Sequence, residues 1–157
     1  MLSPEALVRI DREMAKYPPD QRQSAVMSAL RIAQQEKGWL APEVIEFVAH
    51  YLGMPAIAVY EVATFYNMYD LKPVGRHKIT LCTNLSCTLQ GADRIAAHLK
   101  ARLGVDFGET TADGRYTLKA GECMGACGDG PLCLHNNHEM HERLTPDKVD
   151  ELLDKWT

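Results

Sequence analysis

The hydrophobic residues in the N-terminal half recur every three or four positions, the spacing that places them on one face of a helix. A first helix is predicted to begin at Ser3-Pro4-Glu5, where a capping hydroxyl precedes a proline and an acidic residue. It runs toward Lys16 and stops at Tyr17-Pro18-Pro19, because proline cannot continue a helix. The pattern therefore predicts that this half is helical.

Three more helices are predicted before residue 71. The second ends at Gly38, and its apolar stripe consists of Val26, Leu30 and Ala33. The third runs from Pro42 to Gly53, and its predicted core face consists of Val44, Phe47, Val48 and Tyr51. The fourth, from Ala56 to Tyr69, is apolar on nearly every side, which is typical of a helix packed inside the protein. In the alternative interpretation, some of its neighbours belong to another protein.

The pattern after residue 71 alternates between strands and helices. Residues 77–81 predict a strand that leads directly into Cys82, and residues 91–103 predict a helix. The inward side of that helix consists of Ile95, Ala96 and Leu99. An Asp113-Gly114 turn then precedes a second strand that leads to Cys123. Apolar residues alternate with polar ones along this strand, at Tyr116, Leu118 and Ala120.

The C-terminal part predicts a hairpin and a last helix. Residues 131–135 and 138–143 are predicted strands joined by Asn136-Asn137, because asparagine tolerates the positive φ of a tight turn. The helix begins at Thr145-Pro146-Asp147, which repeats the capping signature of the first helix. Its inner side consists of Val149, Leu152, Leu153 and Trp156. The sequence therefore predicts an α+β protein with domains at 1–71 and 72–157.

Composition and charge narrow the class of protein. The 157 residues are 46% hydrophobic, enough for a core in one domain or in two small ones. The net charge of -4 and the lack of a basic run argue against a nucleic-acid partner. No apolar run reaches about eighteen residues, and the N-terminus lacks the order of a secretion signal. We therefore expect a cytoplasmic protein without direct membrane insertion.

Four of the five cysteines form two close pairs, each after a predicted strand. The pairs are Cys82 with Cys87 and Cys123 with Cys127. Both loops are expected at one edge of a sheet, where open α/β sheets place their sites. Cytosolic thiols stay reduced and are available to metals, and four sulfur ligands suit an iron-sulfur cluster or zinc. The glycines around the second pair allow backbone N–H groups to approach sulfur; they are Gly125, Gly128 and Gly130.

Three alternatives compete with an iron-sulfur cluster. Structural zinc sites favour shorter spacings within a pair, although spacings of three and four residues are known for zinc. A thiol-disulfide oxidoreductase requires two residues between its cysteines, which neither pair has. Ordinary buried cysteines explain one or two such residues but not four at matched strand ends. A [2Fe-2S] cluster takes two thiolates on each iron, which two loops of two cysteines can supply.

Several motifs resemble the E-type subunit family of NADH-quinone oxidoreductases (respiratory complex I). They are Glu61-Val62-Ala63-Thr64-Phe65-Tyr66, Leu81-Cys82-Thr83-Asn84 through Cys87, Asp113-Gly114-Arg115-Tyr116-Thr117, and Cys123-Met124-Gly125-Ala126-Cys127 with Gly130-Pro131. The resemblance covers essentially the whole chain. It implies an N-terminal helical bundle followed by a thioredoxin-like [2Fe-2S] ferredoxin domain. Tyr116 stands where the family has phenylalanine, a change that adds a hydroxyl to the same ring.

The resemblance also implies the ligands and the partner. Cys82, Cys87, Cys123 and Cys127 are the implied ligands of one [2Fe-2S] cluster, with each pair on its own iron. The chain would be an electron carrier within NADH:quinone oxidoreductase, peripheral on the cytoplasmic side of the inner membrane. NADH and FMN are expected only on an F-type flavoprotein partner of complex I, which the N-terminal helices would contact. The same architecture occurs in diaphorase modules of NAD-linked hydrogenases and formate dehydrogenases, and a zinc-stabilised binding module is the alternative from another class.

The remaining cysteine is interpreted as a free thiol, and three histidines are interpreted as surface or structural residues. Cys133 lies in a predicted strand and is expected to be a buried or half-buried free thiol. His135, His138 and His141 follow one another at intervals of three, which alternates faces along a strand. These histidines are therefore not expected to converge on a metal ion.

Overall fold

Prolines and glycines set the limits of the N-terminal helices in the computed structural model, which describes residues 1–156. The helices are α1 (Pro4–Met14), α2 (Val26–Lys37), α3 (Pro42–Leu52) and α4 (Ala56–Phe65), and a 3₁₀ helix spans Pro19–Ala25. The Ser3 hydroxyl accepts a hydrogen bond from the backbone N–H of Ala6 at 3.2 Å, which caps α1. Gly53 ends α3 with a φ of 67°, a conformation that costs glycine little.

The four helices share one apolar core in a unit that spans Met1–Pro73. The core face of α3 lies one residue along from the predicted face, because Ile45, Val48, Ala49 and Leu52 are the buried residues. Val44, Phe47 and Tyr51 are only partly buried at its margin. The prediction of the helix was correct and the prediction of its inner face was only partly so. The stripe is wide enough that spacing alone does not identify its centre.

The prediction that α4 packs inside the protein was wrong for one of its sides. The helix ends at Phe65 instead of Tyr69, and only Val59 and Ala63 are buried. Ile57 is 76% exposed and Phe65 is 78% exposed. Neighbouring helices cover one side of α4, and a helix that is apolar all round does not indicate which side that is. A large apolar surface therefore faces outward within this unit.

The second unit begins at Val74 and contains a four-stranded sheet. Its strands are β1 (His77–Cys82), β2 (Tyr116–Gly121), β3 (Cys133–His135) and β4 (Glu139–His141), in the order β2-β1-β3-β4. β1 pairs with β2 in parallel, while β3 pairs with β1 and β4 in antiparallel fashion. Helices α5 (Leu85–Leu89), α6 (Ala92–Leu103) and α7 (Pro146–Lys155) complete the unit. The limit between the units lies two residues after the predicted one.

The predicted hairpin and the last helix have identifiable local causes. Asn136 and Asn137 both adopt positive φ between β3 and β4, as the tight turn requires. The Thr145 hydroxyl caps α7 by accepting a hydrogen bond from the backbone N–H of Lys148 at 3.2 Å. The single O–H of Tyr116 is shared between the carbonyl oxygens of Leu153 and Trp156, which lie 2.9 Å and 2.7 Å from the phenol oxygen. The Tyr116 hydroxyl thus holds the end of α7 against β2.

The parallel pairing of β1 and β2 determines where the cysteine loops lie. Cys82, the last residue of β1, lies opposite Gly121, the last residue of β2. Both strands therefore end at the same edge of the sheet, and both loops leave from it. Over the described residues, every helix is too short or too polar to cross a membrane.

Candidate metal centre

All four paired cysteines lie at this one edge of the sheet. Cys82 ends β1, and Cys87 lies in α5 within the loop that follows. Cys123 lies two residues after the end of β2, and Cys127 begins the short 3₁₀ helix Cys127–Asp129. None of the five cysteines forms a disulfide. The expected juxtaposition of two cysteine loops is therefore present in the fold.

The sulfur atoms form two pairs. The Sγ atoms of Cys123 and Cys127 are 3.3 Å apart, and the thiols of Cys82 and Cys87 form a hydrogen bond with each other. The two pairs are neighbours, because charge repulsion from Cys127 contributes to the raised pKa of Cys87. Yet in residues 1–156 no three of the cysteine sulfurs lie within 4.8 Å of one another.

This pairing distinguishes between the two kinds of metal centre. One zinc ion with four sulfur ligands at about 2.3 Å would hold every pair of sulfurs at about 3.8 Å. A [2Fe-2S] cluster holds two sulfurs close together on each iron and separates the two pairs across its core. Two close pairs without any close trio therefore match the ligand arrangement of a diiron cluster better than that of a four-sulfur zinc site.

The two pairs differ strongly in exposure. Cys82 and Cys87 are each 1% exposed, and they belong to a small apolar cluster with Ala92 and Leu132. Cys123 and Cys127 are exposed to solvent. These residues would hold a cluster with one pair of thiolate ligands inside the protein and the other pair near the surface.

Hydrogen bonds from the protein point at three of the sulfurs. The backbone N–H of Gly125 donates to Cys123, and that of Leu132 donates to Cys87. The hydroxyl of Ser86 donates to Cys127. Such donors disperse the negative charge of thiolate ligands and are one way in which a protein sets a cluster's reduction potential.

The pKa values show that the sulfurs crowd one another. Burial, and then the neighbouring Cys82, raise the pKa of Cys87 to about 11. The hydrogen bond with Cys123 raises the pKa of Cys127, whereas the Gly125 amide lowers the pKa of Cys123. Each pair therefore resists carrying two negative charges by itself. A bound metal cation removes that penalty, because it holds its sulfur ligands as thiolates.

Gly130 allows the second cysteine loop to pass close to the first. A Cβ atom at this position would lie 3.1 Å from the sulfur of Cys87 and 2.9 Å from Nε2 of Gln90. A side chain at this position would require both the Cys87 sulfur and the end of the Gln90 side chain to move. At Gly128 a Cβ atom would meet nothing within 4 Å, so the close approach is specific to Gly130.

Hydrogen bonds from two residues, Gln90 and Arg143, fix the loops, and neither residue's role was predicted from the sequence. Nε2 of Gln90 donates to the carbonyl oxygens of Ser86 and Cys127, both at 2.8 Å. The guanidinium of Arg143 donates to Oδ1 of Asp129, with Nη2 at 2.6 Å and Nε at 2.9 Å. The backbone N–H of Arg143 also donates to the Asp129 carbonyl oxygen at 2.8 Å. The loop after Cys127 is thus attached to α5 on one side and to the segment before α7 on the other.

The remaining cysteine and two of the three histidines lie on β3 and β4. Cys133 is buried, as expected, and burial raises the pKa of its thiol to about 12. His135 and His141 do converge, contrary to the prediction. They lie on β3 and β4, and the turn between these strands returns His141 to the face that His135 occupies. His138 lies in the turn between the strands and is outside the group.

Comparisons with known proteins identify the family to which the chain belongs. The family model described as "Thioredoxin-like [2Fe-2S] ferredoxin" matches residues 10–157. The E-type subunit of the Rickettsia bellii NADH-quinone oxidoreductase is 43% identical over 141 residues, which cover 89% of this chain and 84% of the relative. One of the E-type subunits of the Rhizobium meliloti NADH-quinone oxidoreductase is 42% identical over 147 residues, which cover 94% of this chain and 86% of that one.

A solved structure shows the same fold. An NAD+-reducing [NiFe]-hydrogenase in the H2-reduced state superposes with a TM-score of 0.69 over 81% of this chain and 22% of the hydrogenase chain. The two sequences are 23% identical, so this similarity concerns the fold alone. The matches confirm the expected fold class and the resemblance drawn from the cysteine motifs. The chain therefore belongs to the thioredoxin-like [2Fe-2S] ferredoxin family and, within it, to the E-type subunits of NADH-quinone oxidoreductases.

Proposed function

We propose that this protein is the electron-transfer subunit of an NADH-quinone oxidoreductase and that it receives electrons from a flavoprotein partner. The observation that carries the proposal is the meeting of two cysteine pairs at one sheet edge, in a chain that is 43% identical to a subunit of such an enzyme. As part of the complex the protein acts in an oxidoreductase. By itself it is an electron carrier.

The four paired cysteines are the proposed ligands. Cys82 and Cys87 would hold one iron, and Cys123 and Cys127 would hold the other, with two thiolates on each. When bound, a [2Fe-2S] cluster supplies one-electron redox chemistry, which divides the two electrons of a hydride into single steps. Amide groups of Gly125 and Leu132 stabilise the thiolates, and the buried side of the site excludes water. Ser86 adds a third donor on the exposed side.

The exposed side of the site is the proposed route for electrons. Beside the exposed pair, α5 presents Leu85 and Leu89, which are 69% and 79% exposed. Apolar side chains around a redox centre allow a partner to approach closely and to exclude water from the contact. We place the flavin-bearing partner at this surface, with NADH and FMN bound on the partner only.

The N-terminal unit is the proposed anchor for the same partner. Ile57 and Phe65 on α4, together with Tyr66 just beyond it, form an exposed apolar face. An exposed apolar face on a helix whose opposite side packs into the core is typical of a protein–protein contact. The assembled protein would lie on the cytoplasmic side of the membrane, peripheral to it.

The same observations support the two alternative functions less well. A zinc-stabilised binding module requires four mutually close sulfurs, which the described cysteines do not provide. Diaphorase modules of hydrogenases and formate dehydrogenases remain the main functional alternative. The similarity to the NAD+-reducing hydrogenase concerns the fold, whereas the relatives at 42% and 43% identity both belong to NADH-quinone oxidoreductases.

Electron paramagnetic resonance of the protein with and without its flavoprotein partner tests the proposal. Dithionite should produce the signal of a reduced [2Fe-2S] cluster in the protein alone, whereas NADH should produce it only when the flavoprotein is present. A Cys123→Ser variant should give no such NADH-dependent signal. Reduction by NADH without the partner, or no reduction in its presence, would contradict the proposed role.

A further inference from the structure

A second group of metal-binding side chains lies at the other end of the sheet. His135, Glu139 and His141 each present one ligand atom, and these atoms all lie within 4.8 Å of one another. The group is close to the start of β1, whereas the cysteines are at its end. Strands rise about 3.3 Å per residue, so the two ends of β1 are roughly 16 Å apart. This group is therefore separate from the cysteine site.

The hairpin register creates the group. His135 pairs with Glu139, and Cys133 pairs with His141. Nδ1 of His135 is 3.2 Å from Oε2 of Glu139, and Nε2 of His141 is 3.7 Å from the same oxygen. A tetrahedral zinc ion with bonds of about 2.0 to 2.1 Å holds neighbouring ligand atoms about 3.4 Å apart. The two separations lie on either side of that value.

One nitrogen in the group lacks a hydrogen-bond partner. Nε2 of His141 is buried and accepts or donates no hydrogen bond among the described residues. It faces the Glu139 carboxylate from 3.7 Å, a distance too long for a hydrogen bond and suitable for two ligands of one cation. A buried nitrogen without a partner costs free energy, which a bound cation would remove.

The neighbouring rings hold the ligands in place. Nε2 of His135 lies 3.0 Å from Nδ1 of His77, so the ring nitrogen opposite the proposed metal-binding atom has a hydrogen-bond partner. Metal-binding histidines commonly use their second nitrogen in this manner. The Trp156 ring stacks on His135 with centroids 4.0 Å apart, and it meets His141 edge-on at 5.4 Å. The imidazoles therefore have little freedom to turn away.

We propose that His135, Glu139 and His141 form a zinc site that is independent of the iron-sulfur cluster. Two imidazole nitrogens and one carboxylate oxygen are ligands that zinc prefers, while calcium and magnesium prefer oxygen alone. The Glu139 side chain is 64% exposed, so the fourth position of the ion opens toward solvent. The ion would join β3 to β4 and fix the hairpin against Trp156.

Zinc titration of the protein with its cluster assembled tests this site, because the cysteines are then already occupied. We expect about one zinc to remain per chain after desalting, with the iron content and the visible spectrum unchanged. Glu139→Gln and His141→Ala should each weaken zinc binding by more than about 100-fold, since the loss of an outer hydrogen-bond partner alone costs 10- to 100-fold.

The controls separate the site from other zinc-binding groups. His138→Ala removes a histidine of the same hairpin that is outside the group and should bind zinc like the wild type. Glu139→Gln changes an exposed side chain, so its visible spectrum should confirm that the protein is folded. The proposal is wrong if the wild type retains no zinc, if the two ligand variants retain as much as His138→Ala, or if zinc binds only as iron is lost.

Discussion

The side-chain amide of Gln90 donates a hydrogen bond to the carbonyl oxygen of Cys127 at 2.8 Å. Because the same nitrogen donates to Ser86 at 2.8 Å, one side chain connects the two loops that carry the cysteine pairs. These loops are far apart in sequence. The Gln90 side chain therefore helps to hold the two loops next to each other, in addition to any metal centre bound between them.

Replacing Gln90 by leucine should make the cluster easier to lose. Leucine has nearly the same size but cannot donate, and two hydrogen bonds contribute about 2 kcal/mol together. We expect the visible absorbance to decay about 5- to 30-fold faster in the presence of an iron chelator. Gln23→Leu, at an exposed glutamine in the N-terminal unit, is the control and should decay like the wild type. Equal decay in Gln90→Leu would show that the connection does not support the site.

Gly130→Ala should impair cluster assembly, and Gly128→Ala should not. A Cβ atom at Gly130 would lie 3.1 Å from the Cys87 sulfur, whereas at Gly128 it would have nothing within 4 Å. Neither glycine has a positive φ, so the comparison isolates the space that a methyl group occupies. The measurement is iron bound per chain after reconstitution. Similar iron contents in the two variants would contradict the role assigned to Gly130.

The thiol of Cys133 should make the protein less stable at alkaline pH. Burial raises its pKa from the ordinary value of 9.0 to about 12. The folded protein thus keeps a proton that the unfolded chain releases above about pH 9, so stability is lost as the pH rises between these values. The loss approaches about 1.4 kcal/mol per pH unit within this window.

Thermal unfolding of the wild type and of Cys133→Ala between pH 8 and 11 measures this effect. The missing sulfur lowers the stability of the alanine variant by the same amount at every pH. Because this variant has no thiol to ionise, its melting temperature should fall less steeply as the pH rises. Other groups titrate equally in both proteins and cancel in the comparison. Parallel curves would show that Cys133 does not control the alkaline stability.

The exposed face of α4 should matter for assembly and not for folding. Phe65→Ser changes a side chain that is 78% exposed, so the melting temperature should change little. If Phe65 is a hot spot of the interface, its removal costs about 2 kcal/mol, which corresponds to roughly a 30-fold weaker complex with the flavoprotein. Val8→Ser, at a position 62% exposed on α1, is the control for a general loss of surface hydrophobicity. Equal binding by both variants would exclude α4 from the contact.

Local signals in the sequence predicted most of the fold. Capping residues and prolines marked the starts of α1 and α7, and the alternation before Cys82 and Cys123 marked the two parallel strands. The short helix α5 was missed, because five residues are too few to show a helical period. This helix of about one and a half turns brings Cys87 close to Gly130 in the second cysteine loop.

Other features depend on contacts between distant residues. The role of Gln90 arises from a hydrogen bond across 37 positions, which no local pattern reveals. His135 and His141 meet only because of the register of a hairpin, whereas their spacing along one strand predicted the opposite. The exposure of Ile57 and Phe65 depends on which side of α4 its neighbours cover. In each case the sequence identified the residue type but not its surroundings.

The metal and sulfide content of the purified protein tests the central claim most directly. We expect about two irons and two acid-labile sulfides per chain, held by Cys82, Cys87, Cys123 and Cys127. Cys123→Ser should lose both, while Cys133→Ala should retain both, since Cys133 lies outside the two pairs. Zinc bound at the four cysteines without iron or sulfide, or full iron content in Cys123→Ser, would contradict the claim.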